Sequence, residues 1–379
     1  MEIHYQEGMI MDILIRLPVR SLLRFKCVSK LWKTLISESY FKMKHLSHAN
    51  NDLNSQKLLV REQFSSGIYN FFSYSLSTNQ LVRDAQNRPS NCSPFADAYI
   101  YSSCDGLVLL GLVHSFRNQL LLWNHSTRES MELILPHSGF RLEDTTFGFG
   151  YDANSNDYKI VKVNKGGVLL PSIEILTLKS RSWRSICNFP TIVCPKTGSQ
   201  MEIHPYLYNG CVMSPVVFVH GAFHWLGRSH NYSVVSFSTS NEVYRDIPLL
   251  ERMYRFDHKQ STNYGISVFG GMLCFYSTHN YHRDQPVTFQ LWGMKDYGVV
   301  ESWTELFTLR ASDICYAEPR YRYADGEVLL QCNLDERRGG DGGDVFRTSK
   351  GQIGLSYPQP SYLEGIVYTE SLISPKSLI

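Results

Sequence analysis

The run Asp12-Ile-Leu-Ile-Arg-Leu-Pro-Val-Arg-Ser-Leu-Leu-Arg-Phe-Lys-Cys-Val-Ser-Lys-Leu-Trp-Lys-Thr-Leu-Ile36 decides how the chain is read. Around its start, Met9, Ile10, Ile13 and Leu14 fall at i, i+1, i+4 and i+5, one face of a helix. Pro18 ends that helix near Arg16, because the residue before a proline is pushed out of the helical region. Leu22, Leu23 and Phe25 to Cys27 fit a short second helix. Ser29 is placed to cap a third, on which Leu31, Trp32, Leu35 and Ile36 share a face. Three short helices bury little surface alone, and their apolar residues exceed what so small an interior uses. At this level two readings stay open: a helical cap docked on the rest of the chain, or a module that binds a partner.

The character of the chain changes near residue 48. Residues 1–48 hold eight basic and four acidic residues, whereas the remainder holds 29 and 31, so we divide the chain into 1–48 and 49–379. From about residue 56 the apolar period switches to short alternating runs separated by turn residues. Phe147 to Tyr151 and Tyr158 to Val163 read as a hairpin across 152–157. So do Ile173 to Leu178 with Ser182 to Ile186, Val216 to Val219 with Ala222 to Leu226, and Ile266 to Phe269 with Met272 to Tyr276. The glycines taken as turn markers, Gly106, Gly150, Gly221, Gly271, Gly326 and Gly365, are 39 to 71 residues apart. Their mean interval of roughly 50 is that of kelch-like propeller blades.

The expected fold is therefore a small all-α unit of three helices followed by a mainly-β, kelch-like β-propeller of about six blades. Five or seven blades and a β-sandwich pair are the alternatives. Strands within 56–80 (Leu58, Leu59, Val60; then Tyr69, Phe71, Phe72) are expected to complete the last blade with C-terminal strands. Trp123, Trp183, Trp225, Trp292 and Trp303 lie near strand ends and are read as inter-blade packing. The glycine-rich run Asp335 to Asp344 reads as a loop.

Composition excludes several classes. Of 379 residues, 43% are apolar and 19% charged, so a large core is available. A net charge of +2 argues against a general nucleic-acid or anionic-membrane binder. The first 15 residues contain Glu2, Glu7 and Asp12 and no basic n-region, and the longest apolar run, near Leu107 to Val113, is too short to cross a bilayer. The expectation is a cytoplasmic protein, with the nucleus also open to it. Nine cysteines, no two separated by only two residues, fit neither a disulfide framework nor a zinc knuckle. Sequons occur at Asn91, Asn124 and Asn231, and without an export signal they are read as coincidental.

Gly148-Phe-Gly150 begins a dinucleotide-like pattern, but in a strand–turn–strand context, where no helix N-terminus is available for a pyrophosphate. No Gly-X-Ser-X-Gly elbow, phosphate loop or His-Glu-X-X-His occurs. His220 and His224 flank a turn and read as ordinary strand residues. We expect no catalytic residue, no metal and no cofactor, and we expect Cys27 to be buried.

The segment from Ile13 to Trp32 resembles the F-box almost without interruption: Ile-Leu, then Leu-Pro-Val-Arg-Ser-Leu-Leu-Arg-Phe-Lys-Cys-Val-Ser-Lys, one residue, Trp. The resemblance implies docking to a Skp-type adaptor, and through it to a cullin and a RING protein. By position, Ile13, Leu14, Leu17, Pro18, Leu22, Leu23, Cys27, Val28 and Trp32 then build or line the adaptor contact. Family members usually begin with Leu-Pro and acidic residues, where this chain has Tyr5-Gln6-Glu7-Gly8.

Further on, Leu122 to Arg128, Phe147 to Asp152, Asn156 to Lys162, Gly221 to Trp225, Trp292 to Gly298 and Val367 to Ile373 look like the F-box-associated domain of plants. The second and last of these blocks are similar in particular to S-locus F-box proteins of pollen. The resemblance implies a non-catalytic substrate receptor of a Skp–cullin–F-box ubiquitin ligase, with a pistil S-RNase as the possible target. An immune receptor or another regulatory protein is the alternative target. A non-ligase binding protein with a vestigial F-box, and a propeller enzyme, are the alternative classes. Candidate target-contacting segments are 136–146, 188–214, 250–264, 278–287 and 333–360, with Tyr206, Tyr208 and Tyr254 as candidate contact residues.

Overall fold

The computed structural model describes residues 2–63, 69–76, 82–87, 89, 97–113, 118–135, 145–164, 173–186, 215–228, 232–254, 261–280, 286–311, 314–334, 343–348, 351–353 and 362–378. They fall into two compact units, residues 1–135 with 364–379, and residues 136–363.

The first unit opens with four helices rather than three: α1 Glu2–Leu14, α2 Val19–Phe25, α3 Lys30–Ser37 and α4 Ser39–Asn50. Pro18 holds an extended backbone (φ −58°, ψ 147°) and separates α1 from α2. At Ser29 the backbone is again extended, and its Oγ accepts the Leu31 N–H at 3.2 Å, the expected cap of α3. Glu38 (ψ 141°) breaks the chain between α3 and α4. The fourth helix buries Phe41, His45, Leu46 and Ala49, spaced i, i+4, i+5 and i+8. Apart from Tyr40 and Met43 its outer positions are polar or basic, which is why a reading for apolar runs passed over it.

Six four-stranded antiparallel sheets follow, and strands adjacent in sequence are adjacent in each sheet, with one exception. The exception joins β1 Gln56–Gln63, β2 Tyr69–Ser75 and β3 Val82–Asn87 to β24 Tyr362–Thr369, in the order β24-β1-β2-β3. This is the expected union of early and late strands. The first unit also holds β4 Asp97–Cys104, β5 Leu107–Val113, β6 Asn118–Asn124 and β7 Glu129–Leu133. Trp123 is fully buried between these two sheets with Leu59, Phe71 and Tyr368.

The second unit holds four such sheets. The first is β8 Thr145–Asp152, β9 Asp157–Asn164, β10 Ile173–Thr177 and β11 Ser182–Ser185. The second is β12 Val217–Val219, β13 Ala222–Arg228, β14 Tyr232–Ser238 and β15 Tyr244–Pro248, followed by a single helical turn, α5 Glu251–Tyr254. The third is β16 Ser261–Phe269, β17 Met272–Asn280, β18 Val287–Met294 and β19 Trp303–Ala311. The fourth is β20 Ile314–Arg322, β21 Val328–Leu334, β22 Gly343–Arg347 and β23 Gly351–Ile353. Alternation along β13 shows how the sheets stack. Phe223 and Trp225 pack with Val161, Val163 and Ile175 of the preceding sheet, whereas Leu226 packs with Ile266, Trp292 and Trp303 of the following one.

Turn chemistry needs one correction. Asp105-Gly106, His220-Gly221 and Gly270-Gly271 each have two consecutive positive φ angles, the two-residue turn that matches the right-handed twist of a hairpin. Gly150 and Gly365, however, lie inside β8 and β24. At Gly150 a Cβ would sit 2.3 Å from the Phe218 ring, so the glycine is there to let β12 approach. The glycine-rich run departs from expectation in part: 335–342 lie outside the described residues, while Gly343 and Asp344 belong to β22 and pair with Asn333 and Cys332.

Candidate functional site

The helical module has a one-sided core. Leu14, Ile15, Val19, Leu22, Ile36 and Phe41 meet inside it, with Leu17, Leu23, Phe25, Trp32 and Leu35 packed at its edge. Phe25 and Trp32 stand 5.2 Å apart, ring to ring. The buried His45 ring donates from Nε2 to the Leu17 carbonyl at 3.0 Å, tying α4 to the loop before Pro18. Burial lowers its pKa, against the opposing effect of that bond.

On the outside, apolar side chains remain in water. Among the described residues ten large apolar side chains are exposed, and Met9, Ile13, Val28, Leu31, Tyr40 and Met43 are six of them. Met9 and Ile13 are one turn apart on α1, Val28 and Leu31 flank the Ser29 cap, and Tyr40 and Met43 are three apart on α4. Ile13 is 63% exposed and Val28 68%. Eight Lys and Arg between Arg16 and Lys44 surround them, against Asp12 and Glu38. The cations are close enough to feel one another. The Lys26 ammonium is held below its ordinary value by burial and by Lys42 and Lys33, opposed by Glu129 of β7.

This arrangement sorts the sequence-predicted contact residues. Ile13, Pro18, Cys27 and Val28 are exposed; Leu17, Leu23 and Trp32 are half-buried. Leu14 and Leu22 are spent on the module's own core and can build the docking surface without touching a partner. Cys27 is exposed, not buried as expected: it follows the end of α2, where Val19 and Leu22 already fill the inward positions. Met9, Leu31, Tyr40 and Met43 were missed as surface residues, because periodicity alone assigns an apolar residue to a face without saying whether that face is covered. Gly8 lies within α1, so the unusual Tyr5–Gly8 start does not interrupt the helix.

The candidate target residues fare differently. Tyr206 and Tyr208 lie outside the described residues. Tyr254 is half-buried against the core that holds Met253 and Trp292; its ring meets Tyr232 at 5.7 Å, and its carbonyl accepts from the Tyr264 hydroxyl at 3.0 Å. The segments 136–144, 188–214, 255–260, 281–285, 335–342 and 354–361 also lie outside the described residues. The strands that lead into them nevertheless give a direction. In each sheet they depart from the end opposite to the tight turns, such as 153–156, 220–221 and 270–271.

His224 and the sequon residue Asn124 have structural roles. His224 is fully buried, and its Nε2 lies 2.8 Å from the Tyr297 hydroxyl, which also meets Ser236 Oγ at 3.2 Å. Burial pushes its pKa down to about 4. Among the described residues no three His, Cys, Asp or Glu side chains gather as a metal-binding group. The sequon asparagine Asn124 is completely buried and its amide is engaged by the C-terminal segment, so it offers no atom for glycosylation. Asn91 and Asn231 lie outside the described residues.

Two known protein families match parts of the chain. Residues 8–44 match the F-box domain, and residues 59–372 match the F-box associated beta propeller domain. The chain belongs to the F-box proteins that carry this propeller. Its six four-stranded sheets are the six blades. An F-box/kelch-repeat protein of Arabidopsis thaliana is 24% identical, covering 98% of this chain and 95% of its own. The F-box protein CPR1 of Arabidopsis thaliana is 26% identical over 85% of this chain and 78% of its own. No helix of the described residues is long and apolar enough to cross a membrane.

Proposed function

We propose that this F-box protein is a non-catalytic substrate receptor of a Skp–cullin–F-box ubiquitin ligase. The observation that carries the reading is the helical module itself, an F-box whose Ile13, Val28 and Leu31 stand exposed amid cations, uncovered by any of the described residues. Apolar surface of that kind is stabilised by a partner, and the charge selects a partner with an acidic surface. The adaptor would bring cullin and RING protein, and the propeller would hold a target. Holding both on one chain raises the effective concentration of target lysines near the ubiquitin-charged enzyme. In the first unit the C-terminal segment whose Leu372 enters the F-box core is tied to the sheets at Asp105 and Asn124.

For the target, the similarity of Phe147 to Asp152 and Val367 to Ile373 to S-locus F-box proteins favours a pistil S-RNase; an immune receptor or other regulatory protein is the competing target. Exchange of segments 188–214 and 333–360 with those of a relative tests the placement of target contacts, and unchanged target choice would sink it. For the ligase reading, the test is capture of a purified Skp-type adaptor by the full chain, beside Ile13→Asp/Val28→Asp. Both positions are exposed, so fold stability should be unchanged within about 0.5 kcal/mol. Adaptor affinity should fall at least roughly a hundredfold, as expected for central interface residues. Failure of folded wild type to bind would favour the sequestering, non-ligase reading instead.

A further inference from the structure

The C-terminal segment makes contacts that neither the F-box nor the propeller assigns to it. Leu372 is 3% exposed and belongs to the F-box core, with Leu14, Ile15, Val19, Leu22, Ile36 and Phe41. The backbone on both sides of it is pinned to the first unit's sheets. Asn124 Nδ2 donates to the carbonyls of Ser371 (3.1 Å) and Ile373 (2.8 Å), while its Oδ1 accepts the N–H groups of Ser126 and Thr127. Ser371 Oγ donates to the Asp105 carbonyl at 2.7 Å, and the Glu370 N–H to the Ser55 carbonyl at 2.8 Å. Just upstream, the Tyr368 hydroxyl lies 3.0 Å from His125 Nδ1, and Ser103 Oγ donates to the Val367 carbonyl. Gly106 makes the approach possible: a Cβ there would lie 2.3 Å from Ser371 Oγ.

These contacts separate two jobs along seven residues, Val367 to Ile373. The polar groups fix where the backbone runs, and the one large side chain between the fixed carbonyls enters the helical core. We infer that Leu372 is a positioning residue for adaptor docking: a peg, held by Asn124 and Asp105, that completes the F-box core and sets the helices on the propeller. The inference rests on the proposed adaptor function for its consequence, though not for its structural half. Without Leu372 the small core loses one of its buried members. Helices of this size do not hold their geometry unaided, so the docking surface of Ile13, Val28 and Leu31 would lose its fixed arrangement.

The test uses the full chain and two readouts, amide hydrogen exchange and titration with a purified Skp-type adaptor. In Leu372→Ala, exchange in α1 to α3 should quicken at least about tenfold while β13 and β14 keep wild-type rates. Adaptor affinity should fall by about tenfold or more, equal to about 1.4 kcal/mol. Leu372→Met conserves volume and should restore both readouts to within about threefold. Asn124→Ala should reproduce the Leu372→Ala pattern, although among the described residues its side-chain hydrogen bonds go only to the C-terminal segment and its own turn. Unchanged exchange in the helices of Leu372→Ala overturns the inference, as does acceleration spread evenly through β13 and β14. If wild type fails to bind the adaptor, the ligase reading falls, and the exchange readout alone still decides whether Leu372 holds the F-box.

Discussion

The helical module and the sheet β12–β15 are both rich in apolar side chains, yet only one of them is dry. In the sheet, alternate residues of β13 and β14 enter two different cores, one shared with the sheet before and one with the sheet after. Each face has a covalently supplied neighbour. Among the described residues the helices have such a neighbour on one side only, and Met9, Ile13, Val28, Leu31, Tyr40 and Met43 remain in water on the other. Apolar content is therefore a poor guide to stability or binding by itself. What decides between them is whether the chain covers the face it creates.

The largest expected effect tests that contrast directly. Trp225, 1% exposed, fills the core between two sheets, and Trp225→Ala should cost about 3–5 kcal/mol by urea unfolding. Ile13→Ala should change stability by no more than about 0.5 kcal/mol. Similar losses for the two would mean that the α1 face is covered after all.

Acid should act next, and mainly on the sheets. Burial holds both His224 and His279 at a pKa of about 4, below the ordinary imidazole value of 6.5. They stay neutral in the folded chain while the unfolded chain takes up protons below pH 6.5. Their stabilising contribution is complete above that value, declines as pH falls, and levels off near pH 4. Between pH 7 and pH 5 each should account for about 2 kcal/mol of lost stability. Replacing either with Gln should flatten the fall in urea midpoint over that range; an unaltered slope would show that the imidazole is solvated.

Two glycines sharpen the comparison by sign. Gly8 lies in α1 with no heavy atom within 4 Å of an added Cβ, so Gly8→Ala should stabilise by about 0.5–1 kcal/mol. A Cβ added at Gly150 would sit 2.3 Å from the Phe218 ring, and Gly150→Ala should destabilise by about 1–3 kcal/mol. Thermal unfolding of the two variants should move in opposite directions.

Much of this was legible from local pattern. The cap at Ser29, the break at Pro18, the hairpins across 152–157 and 270–271, and the late strand joining β1 all follow from short-range signals. Where the reading failed, a long-range contact or a local exception was responsible. Strand β20 escaped notice because Pro319 sits inside it, tolerated by a register shift between Pro319 and Tyr321. Gly150 was taken for a turn because the sequence does not reveal Phe218 opposite. The mean glycine interval gave the right number of blades, although two of its six glycines lie in strands. Cys27 was expected inside because pattern cannot count how many inward positions a seven-residue helix has.

The Leu372 contact also has a consequence in time. The residues that fill the F-box core leave the ribosome in two instalments, the helices first and Leu372 more than 300 residues later. At roughly 5–20 residues per second that interval is tens of seconds. Through it, a nascent or truncated chain carries the F-box sequence without its finished core. A chain interrupted within the propeller would then be slow to enter a ligase, because the adaptor meets a settled docking surface only once the last blade has been made.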